Sequence, residues 1–394
     1  MIRVKTGGLG TYKNIMGGTM IYLDNAATTK ISRRAREAME PYLNEMYGNP
    51  SGVYNLATEA KDAIELARSN VAKAIHCRAE NIFFTSGGSE SDNWVLDNAK
   101  RFGNHIITSK IEHHAIIHKC EALEKEGMKI SYADNDRNGM VLVHSIKNNI
   151  RKNTSLISVM FANNEIGTIE PVEQIGKIAQ ERQIPFHTDA VQAIGHVPID
   201  VDRMNIDMMS ASGHKFNGPK GSGFLYVREP KKIFPMIYGG GQEMKKRAGT
   251  ENVANIVGMS VALTEAVENM EQRMKKEIKM RNYLVNRILN EIPYVKYNGH
   301  PLKRLPGNAN FSFAGIDGAS LVVLLDNENV CVSSGSACST GSEEVSHVLK
   351  AIGVPDKLAY GTVRITLSSE NTFEELNYTI EKLKDNIQQL RKSG

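Results

Sequence analysis

The sequence predicts an α/β protein in which helices cover both faces of a mostly parallel sheet. From about residue 80 to 230, short apolar runs rich in β-branched residues alternate with amphipathic stretches. Strands and helices that alternate at this spacing are typical of a parallel sheet with crossover helices. New strand-like and helical runs follow after residue 291, and they indicate a second, smaller α/β domain.

Each predicted element follows from its residue pattern. The helices AIIHKCEALEKEG and VEQIGKIAQERQ have apolar residues three and four positions apart, and residues 253–291 form a long helical stretch with few breakers. NANFSFAG and TVRITLS predict later strands, which alternate with helical patterns at 343–352 and 373–391. The buried strands of the first part are predicted at NIFFTS, HIITSK, MKISYA, LISVMFA, IPFHTDA, IDMMSAS and SGFLYV.

We expect two domains. Residues 29–270 would form the large domain, and residues 20–28 together with 271–394 would form the small one. The first nineteen residues have no clear periodicity and precede a sharp start at MIYLDNAATT. We therefore expect residues 1–19 to be a leader or the result of a misassigned start, with Met20 as the natural first residue.

The composition is that of a soluble globular enzyme. Hydrophobic residues make up 41% and charged residues 23%, and the net charge of +4 gives no reason to expect nucleic acid as a partner. No apolar run approaches the roughly 20 residues needed to span a bilayer, and the N-terminus lacks the apolar core of a signal peptide. The cysteines at 77, 120, 331 and 338 show neither CxxC spacing nor a disulfide framework, which favours a reducing, cytoplasmic setting.

The first candidate for chemistry is Lys215, in SGHKFNGPKGSG after the predicted strand IDMMSAS. A lone lysine is usually a solvated surface residue, but this one follows a buried strand and lies beside a hydroxyl, an imidazole and a glycine-rich turn. An amine in such a place can be pushed toward neutrality and can form a Schiff base with an aldehyde cofactor. The position suggests pyridoxal 5'-phosphate (PLP), which requires partners elsewhere in the chain.

Other strand ends supply such partners. Asp189 ends the strand IPFHTDA and could face the ring nitrogen of the cofactor, or it could cap a helix. Gln192 could donate to the ring oxygen. His113 or His114, after the strand HIITSK, could stack on the ring or could cap a helix.

The segment TSGGS, at residues 85–89, could hold the phosphate. It follows the strand NIFF and opens the helix ESDNWVLDNAK, whose free backbone N–H groups and positive dipole end suit an anion. A glycine turn before a helix is weak evidence by itself. Four such signals at four strand ends, in the positions that one cofactor requires, are strong together.

Motifs along nearly the whole chain resemble those of the NifS/IscS-type cysteine desulfurases, PLP-dependent members of the class V aminotransferase family. From about Met20 to the C-terminus the following occur in the family's order: YLDNAATT, YGNPS, FTSGGSESDN, EHHA, ANNEIG, HTDAVQ, SGHKFNGPKG, RAGTEN, SSGSACS and TVRITLS. The Lys motif and the SSGSAC loop are the specific parts. The resemblance implies a homodimer with the fold-type-I architecture of PLP-dependent transferases.

The resemblance also implies roles for individual residues. Lys215 would hold the cofactor, Asp189 would pair with the ring nitrogen, and His113 would stack on the ring and move protons. Arg364 would clamp the substrate carboxylate, a task that suits the planar guanidinium. The remaining contacts would be ring and substrate contacts from Asn164, a ring contact from Gln192, and phosphate contacts from Gly88, Ser89, Ser212, His214 and the partner subunit's Thr250.

The implied reaction converts L-cysteine to L-alanine and leaves a persulfide on Cys338. Lys215 would take the Cα proton, and the Cys338 thiolate would attack the substrate sulfur. Cys338 lies in CVSSGSACST, where Gly335 and the surrounding serines allow a mobile arm that carries sulfur to an acceptor. A free cysteine in a surface loop is the alternative. We expect a buried structural role for Cys331 and no resident metal, although Cys338 could transiently ligate an iron–sulfur cluster.

Other functional interpretations of the sequence remain open. A selenocysteine lyase or another class V transferase would share the fold, although a transaminase needs no thiol. A non-catalytic sulfur-relay scaffold would be expected to lack Lys215 or Cys338. The sulfur acceptor could be an iron–sulfur scaffold, a tRNA-thiolation protein or a thiamine-pathway carrier. Tyr54, in GNPSGVYNLATEA, stands where relatives often have His and could alter the substrate-entry rim.

Overall fold

The computed structural model describes residues 20–334 and 345–393. Cys338, Gly335 and the predicted leader 1–19 lie outside the described residues. The described strands are β1 (Ile21–Tyr22), β2 (Ile82–Thr85), β3 (His105–Ser109), β4 (Lys129–Ala133), β5 (Thr154–Ser158), β6 (Phe186–Asp189), β7 (Met208–Ser212), β8 (Gly223–Val227), β9 (Val295–Asn298), β10 (Asn308–Phe313), β11 (Val330–Cys331), β12 (Ser333–Ser334) and β13 (Thr362–Thr366).

The α-helices flank two main sheets. They are α1 (Arg33–Met39), α2 (Pro41–Asn44), α3 (Asn55–Ala74), α4 (Gly88–Ala99), α5 (His114–Lys125), α6 (Val143–Asn149), α7 (Val172–Arg182), α8 (Gln242–Lys245), α9 (Val253–Glu268), α10 (Met270–Glu291), α11 (Gly318–Asn327), α12 (His347–Ala351), α13 (Asp356–Ala359) and α14 (Phe373–Ser393). Within the part of the chain that the structure describes, no helix combines the length and the apolar character needed to cross a membrane.

The larger sheet has seven strands in the order β2-β8-β7-β6-β5-β3-β4. β3 to β7 pair in parallel along it, whereas β8 runs antiparallel to both β2 and β7. All seven strands predicted from the first part of the sequence lie in this sheet, so the predicted α/β class is confirmed. β2, β3, β6, β7 and β8 are buried along their whole length, as expected for strands covered on both faces.

The smaller sheet is antiparallel, with the strand order β12-β13-β10-β9. Its core combines β10 and β13 with apolar side chains of α10, α11 and α14, such as Leu284, Leu321 and Ile380. The N-terminal strand β1 pairs in parallel with β11 in a separate two-stranded sheet, and Ile21 and Val330 of this sheet belong to the same core. The pattern of NANFSFAG and TVRITLS predicted β10 and β13, whereas the two-residue strands are too short to show a period.

The predicted helical stretch 253–291 is divided into α9 and α10 at Asn269. The Asn269 side-chain amide donates to the Glu265 carbonyl oxygen at 3.0 Å, and its backbone N–H donates to the same oxygen at 3.2 Å. These bonds end α9, because an asparagine side chain can satisfy the last carbonyl groups of a helix. An apolar pattern that continues across one polar residue does not reveal such a break.

Candidate active site

A cavity of about 590 Å³ opens at the carboxyl ends of the parallel strands. Ligand sites of α/β sheets are expected at this edge, and the volume is in the usual range of small-molecule pockets, about 300–1,000 Å³. The cavity brings together ten of the residues predicted for the site: Gly88, Ser89, His113, Asn164, Asp189, Gln192, Ser212, His214, Lys215 and Arg364. Thr250 is not among its lining residues.

Lys215 ends a short 3₁₀ turn that follows β7. Its Nζ donates to the carbonyl oxygens of Ala26 at 2.7 Å and Ala27 at 2.8 Å. The Gln192 side-chain amide donates to the same Ala26 oxygen at 2.9 Å. The segment before α1 therefore holds the lysine amine at the cavity, a contact that the sequence pattern did not reveal.

Asp189 lies at the carboxyl end of β6, with 6% of its surface exposed. Its Oδ1 accepts a hydrogen bond from the Val191 backbone N–H at 2.9 Å. A turn rather than a helix follows, so the alternative role of Asp189 as a helix cap is wrong. Burial raises the pKa of Asp189, whereas the Val191 N–H and Lys215 act in the opposite direction. The carboxyl group is thus available to a cationic group bound in the cavity.

The N-terminus of α4 forms another part of the cavity wall, close to Val191. Gly87 precedes the helix with φ +153°, a conformation that side chains rarely adopt, and no described side chain caps the helix. A Cβ atom on Gly88 would lie 2.5 Å from Val191 Cγ2, so only glycine fits there without a shift. Exposed first-turn N–H groups beside Ser212 and His214 make an anion cradle.

His113 has both of the roles considered for it. It is the N-cap of α5, where its Nδ1 accepts a hydrogen bond from the Ala115 N–H at 3.1 Å, and it also lines the cavity. Burial, and next the charge of Lys215, lower the pKa of His113 to about 4. Because the neutral ring uses Nδ1 as an acceptor, its proton is on Nε2.

Arg364 lies on β13 at the rim between the two sheets, and 5% of its surface is exposed. One terminal nitrogen donates to the Asn164 carbonyl oxygen at 3.0 Å, and the other donates to Asp24 Oδ1 at 2.8 Å. Its Nε is buried and makes no hydrogen bond to the described residues. The Arg364 guanidinium lines the cavity, where its planar group suits a carboxylate ligand.

These residues fit PLP. The helix cradle matches a phosphate, Asp189 matches a protonated ring nitrogen, and the Lys215 amine can bond to an aldehyde. Asp24, which holds Arg364, was not predicted, although its motif YLDNAATT was noted.

Thr250 is exposed on the segment before α9. The side chain that caps α9 is that of Asn252, which accepts a hydrogen bond from the Asn255 N–H at 3.2 Å. Thr250 therefore does not cap this helix.

Cys331 and Tyr54 were also noted in the sequence, and the structure describes both. Cys331 is half-buried in β11 rather than fully buried. Tyr54 is 53% exposed just before α3, outside the lining of the cavity.

A second cavity of about 630 Å³ lies at the opposite edge of the large sheet, where Ser155, Pro185 and Met208 lie at or next to the first residues of three strands. It contains none of the residues predicted for the site. The chemistry of the side chains therefore assigns the candidate active site to the cavity around Lys215.

Comparison with known proteins points in the same direction. A family model described as "Aminotransferase class-V" matches residues 21–378. The "Cysteine desulfurase IscS" of Clostridium botulinum is 50% identical over 377 residues, which cover 94% of this chain and 95% of that protein. A structure titled "NifS-like protein" superposes with a TM-score of 0.89 at 37% identity, covering 94% of this chain and 100% of the other. A structure titled "SspA in complex with cysteine" gives a TM-score of 0.79 at 36% identity, covering 89% and 100%.

Proposed function

The chain belongs to the class-V aminotransferase family, among its cysteine desulfurases, and from this premise we propose that it converts L-cysteine to L-alanine and retains the sulfur as a persulfide on Cys338. The observation that carries the proposal is the meeting of Lys215, Asp189, His113 and Arg364 around one cavity. The reaction requires an amine, a carboxylate, an imidazole and a guanidinium, and these four side chains supply them.

The family uses PLP, and the residues that would hold it here are those of the cavity. The Gly88 and Ser89 N–H groups, Ser212 and His214 would bind the phosphate, together with the partner subunit's Thr250. Asp189 would face the ring nitrogen, and His113, Asn164 and Gln192 would contact the ring. When bound through Lys215, the cofactor supplies an electron sink for the bonds at the substrate Cα.

Lys215 is the proposed base for the substrate Cα proton. In the structure its Nζ lies against the Ala26 and Ala27 carbonyl oxygens, which hold the amine at the mouth of the cavity. Neutral His113, with its proton on Nε2, lines the same cavity and is the proposed proton donor. Lys215 would thus act as the base, and His113 would act as the proton donor.

Arg364 is the proposed site for the substrate carboxylate. The guanidinium lines the cavity, and Asp24 and the Asn164 carbonyl oxygen hold it in place. A carboxylate bound there would place the substrate amino group toward Lys215, which lines the same cavity.

Cys338 is the proposed sulfur acceptor on the enzyme, and the support for it comes from the motif SSGSACS and the family. The Cys338 thiolate attacks the substrate sulfur, the carbon–sulfur bond breaks, and the substrate carbon gains a proton. L-cysteine and one enzyme thiol thereby become L-alanine and one enzyme persulfide, without any external oxidant.

We further propose a homodimer. Apolar side chains are exposed on the loop before α3 and near α8, namely Tyr47, Val53, Tyr238 and Met244. Buried Arg68 of α3 holds Glu243 of α8 through two hydrogen bonds of 2.8 and 2.9 Å, which ties the two regions together. Exposed apolar surface of this kind favours an interface with a second copy.

We also propose a domain division, a cellular location and a type of sulfur acceptor. We propose that residues 29–270 form the cofactor-binding domain, and that residues 20–28 with 271–394 form the domain carrying the Cys338 loop. The enzyme would work in the cytoplasm and pass its sulfur to an acceptor protein, such as an iron–sulfur scaffold or a thiolation protein. Trapping acceptors by disulfide exchange with Cys338 would identify this protein.

The direct experiment is to incubate the PLP-loaded protein with L-cysteine and to measure alanine and sulfane sulfur. Formation of alanine supports the proposal. A yellow protein that forms pyruvate or transfers the amino group instead would indicate another reaction of the same family.

A further inference from the structure

Three buried carboxyl groups lie close to the proposed cofactor-ring end of the cavity. Asp92 of α4, Glu112 before α5 and Asp189 of β6 are 1%, 1% and 6% exposed. Asp92 and Asp189 both line the cavity. The charges of Asp189 and Glu112 act on Asp92, so the three groups are electrostatic neighbours. Like charges that act on one another in a buried site tend not to be ionised all together.

Two basic side chains among the described residues, Lys215 and His187, act on or lie beside these groups. The charge of Lys215 acts on Asp189 and favours its ionised form, and the Lys215 amine also donates to the Ala26 and Ala27 carbonyl oxygens. His187 Nε2 lies 3.7 Å from Asp92 Oδ1, yet burial lowers the pKa of His187 to about 3. The imidazole beside Asp92 is therefore neutral and does not balance a negative charge.

Among the three carboxyl groups, Asp92 is the one with a buried oxygen that receives no hydrogen bond from the described residues. Glu112 accepts from the Ser109 hydroxyl at 2.5 Å and from the Met160 N–H, and Asp189 accepts from the Val191 N–H. Asp92 Oδ1 accepts no hydrogen bond from the described residues.

The Ser210 hydroxyl hydrogen-bonds to Asp92 and favours its ionised form, and the Ser210 oxygen also lies 3.0 Å from His187 Nε2. A buried carboxyl group with one oxygen that accepts no hydrogen bond gains by keeping its proton. Burial and the charge of Asp189 accordingly raise the pKa of Asp92.

We propose that Asp92 is a positioning residue that holds a proton, so that Asp189 is the carboxylate whose negative charge faces the ring nitrogen of PLP. This inference rests on the cofactor site proposed above. Asp92 acts through Asp189: its neutrality leaves one negative charge opposite one ring N–H group. An ionised Asp92 would instead place two repelling carboxylates at the same end of the cavity.

The test compares Asp92→Asn, which imitates a neutral carboxylic acid, with Asp92→Ala, and uses Asp189→Asn as the matched control. PLP affinity is measured by absorbance after dialysis and reconstitution. We expect Asp92→Ala to weaken PLP binding on the order of tenfold, and Asp92→Asn to restore it to within about threefold of the wild type. Asp189→Asn should be the weakest binder of the three.

Infrared spectra of the wild type in H₂O and in D₂O, with and without PLP, read the proton directly, and two variants assign the band. A protonated carboxyl band that disappears in Asp92→Asn and persists in Glu112→Gln supports the proposal. Absence of that band from the wild type, or an Asp92→Asn protein that binds PLP as weakly as Asp189→Asn, overturns it. If the wild type does not bind PLP, the proposed function fails, whereas the infrared result still decides the state of Asp92.

Discussion

Arg364 and Asp24 form an ion pair of 2.8 Å between residues that are 340 positions apart in the sequence. Arg364 belongs to β13 of the smaller sheet, and Asp24 follows β1 and pairs with Thr366 through a β-bridge. The N-terminal segment that orients Arg364 also contacts Lys215 through Ala26 and Ala27. One short segment therefore positions both the proposed substrate clamp and the proposed catalytic lysine.

The first prediction concerns this pair. Arg364→Lys should raise the KM for L-cysteine on the order of a hundredfold, because an ammonium group cannot bind a carboxylate with two parallel hydrogen bonds. Asp24→Asn should cause a smaller increase, since the amide keeps a hydrogen bond but loses the charge. PLP absorbance of both variants serves as the control for folding. An unchanged KM in Arg364→Lys would place the substrate carboxylate elsewhere.

The second prediction concerns the lysine. Lys215→Ala should abolish turnover, and borohydride reduction of the wild type should attach the cofactor covalently to the peptide that contains Lys215. Lys220 is the matched control, because it also lines the cavity. Lys220→Ala should keep the covalent cofactor. A label found on Lys220 would refute the assignment.

Much of this site could be predicted because its residues follow buried strands with a clear apolar pattern. Lys215, Asp189 and His113 lie at strand ends, where parallel topology brings side chains together. The contacts of Ala26, Asp24 and Asp92 could not be predicted in this way. These contacts depend on the path of the N-terminal segment past the cavity and on which carboxyl oxygens accept hydrogen bonds. The periodicity of the sequence predicts neither feature.

The third prediction concerns pH. His196 Nε2 lies 2.9 Å from the Lys215 carbonyl oxygen, and burial, followed by the charge of Arg273, lowers the pKa of His196 to about 4. The folded state therefore binds fewer protons than the unfolded state between the pKa of His196 and the ordinary value of about 6.5. The free energy of unfolding should fall with decreasing pH in this window, by up to about 1.4 kcal/mol per pH unit.

The measurement compares thermal midpoints of wild type and His196→Gln at about pH 7 and about pH 5. The variant should lose less stability on acidification, because it lacks the titrating ring. His144→Gln, at an exposed position of α6, controls for the substitution itself. Equal losses in the wild type and in His196→Gln would contradict this prediction.

The fourth prediction links Thr250 to the dimer. If the partner subunit's Thr250 completes the phosphate site, Thr250→Ala should weaken PLP binding with little change in the stability of α9, which Asn252 caps. PLP binding and dimerisation should then strengthen each other by the same factor. Sedimentation and absorbance during dilution measure both quantities. A stable monomer that retains all of its PLP would contradict the prediction.

The most direct test of the account is a single turnover with L-cysteine in the absence of reductant. The wild type should form one alanine for each sulfane sulfur left on the protein, and the sulfur should be found on the peptide that contains Cys338. Cys338→Ala should bind PLP and L-cysteine normally but lose alanine formation by orders of magnitude, a few kcal/mol of barrier, whereas Cys331→Ala should react like the wild type. Alanine formation by Cys338→Ala at more than about half of the wild-type rate would contradict the account.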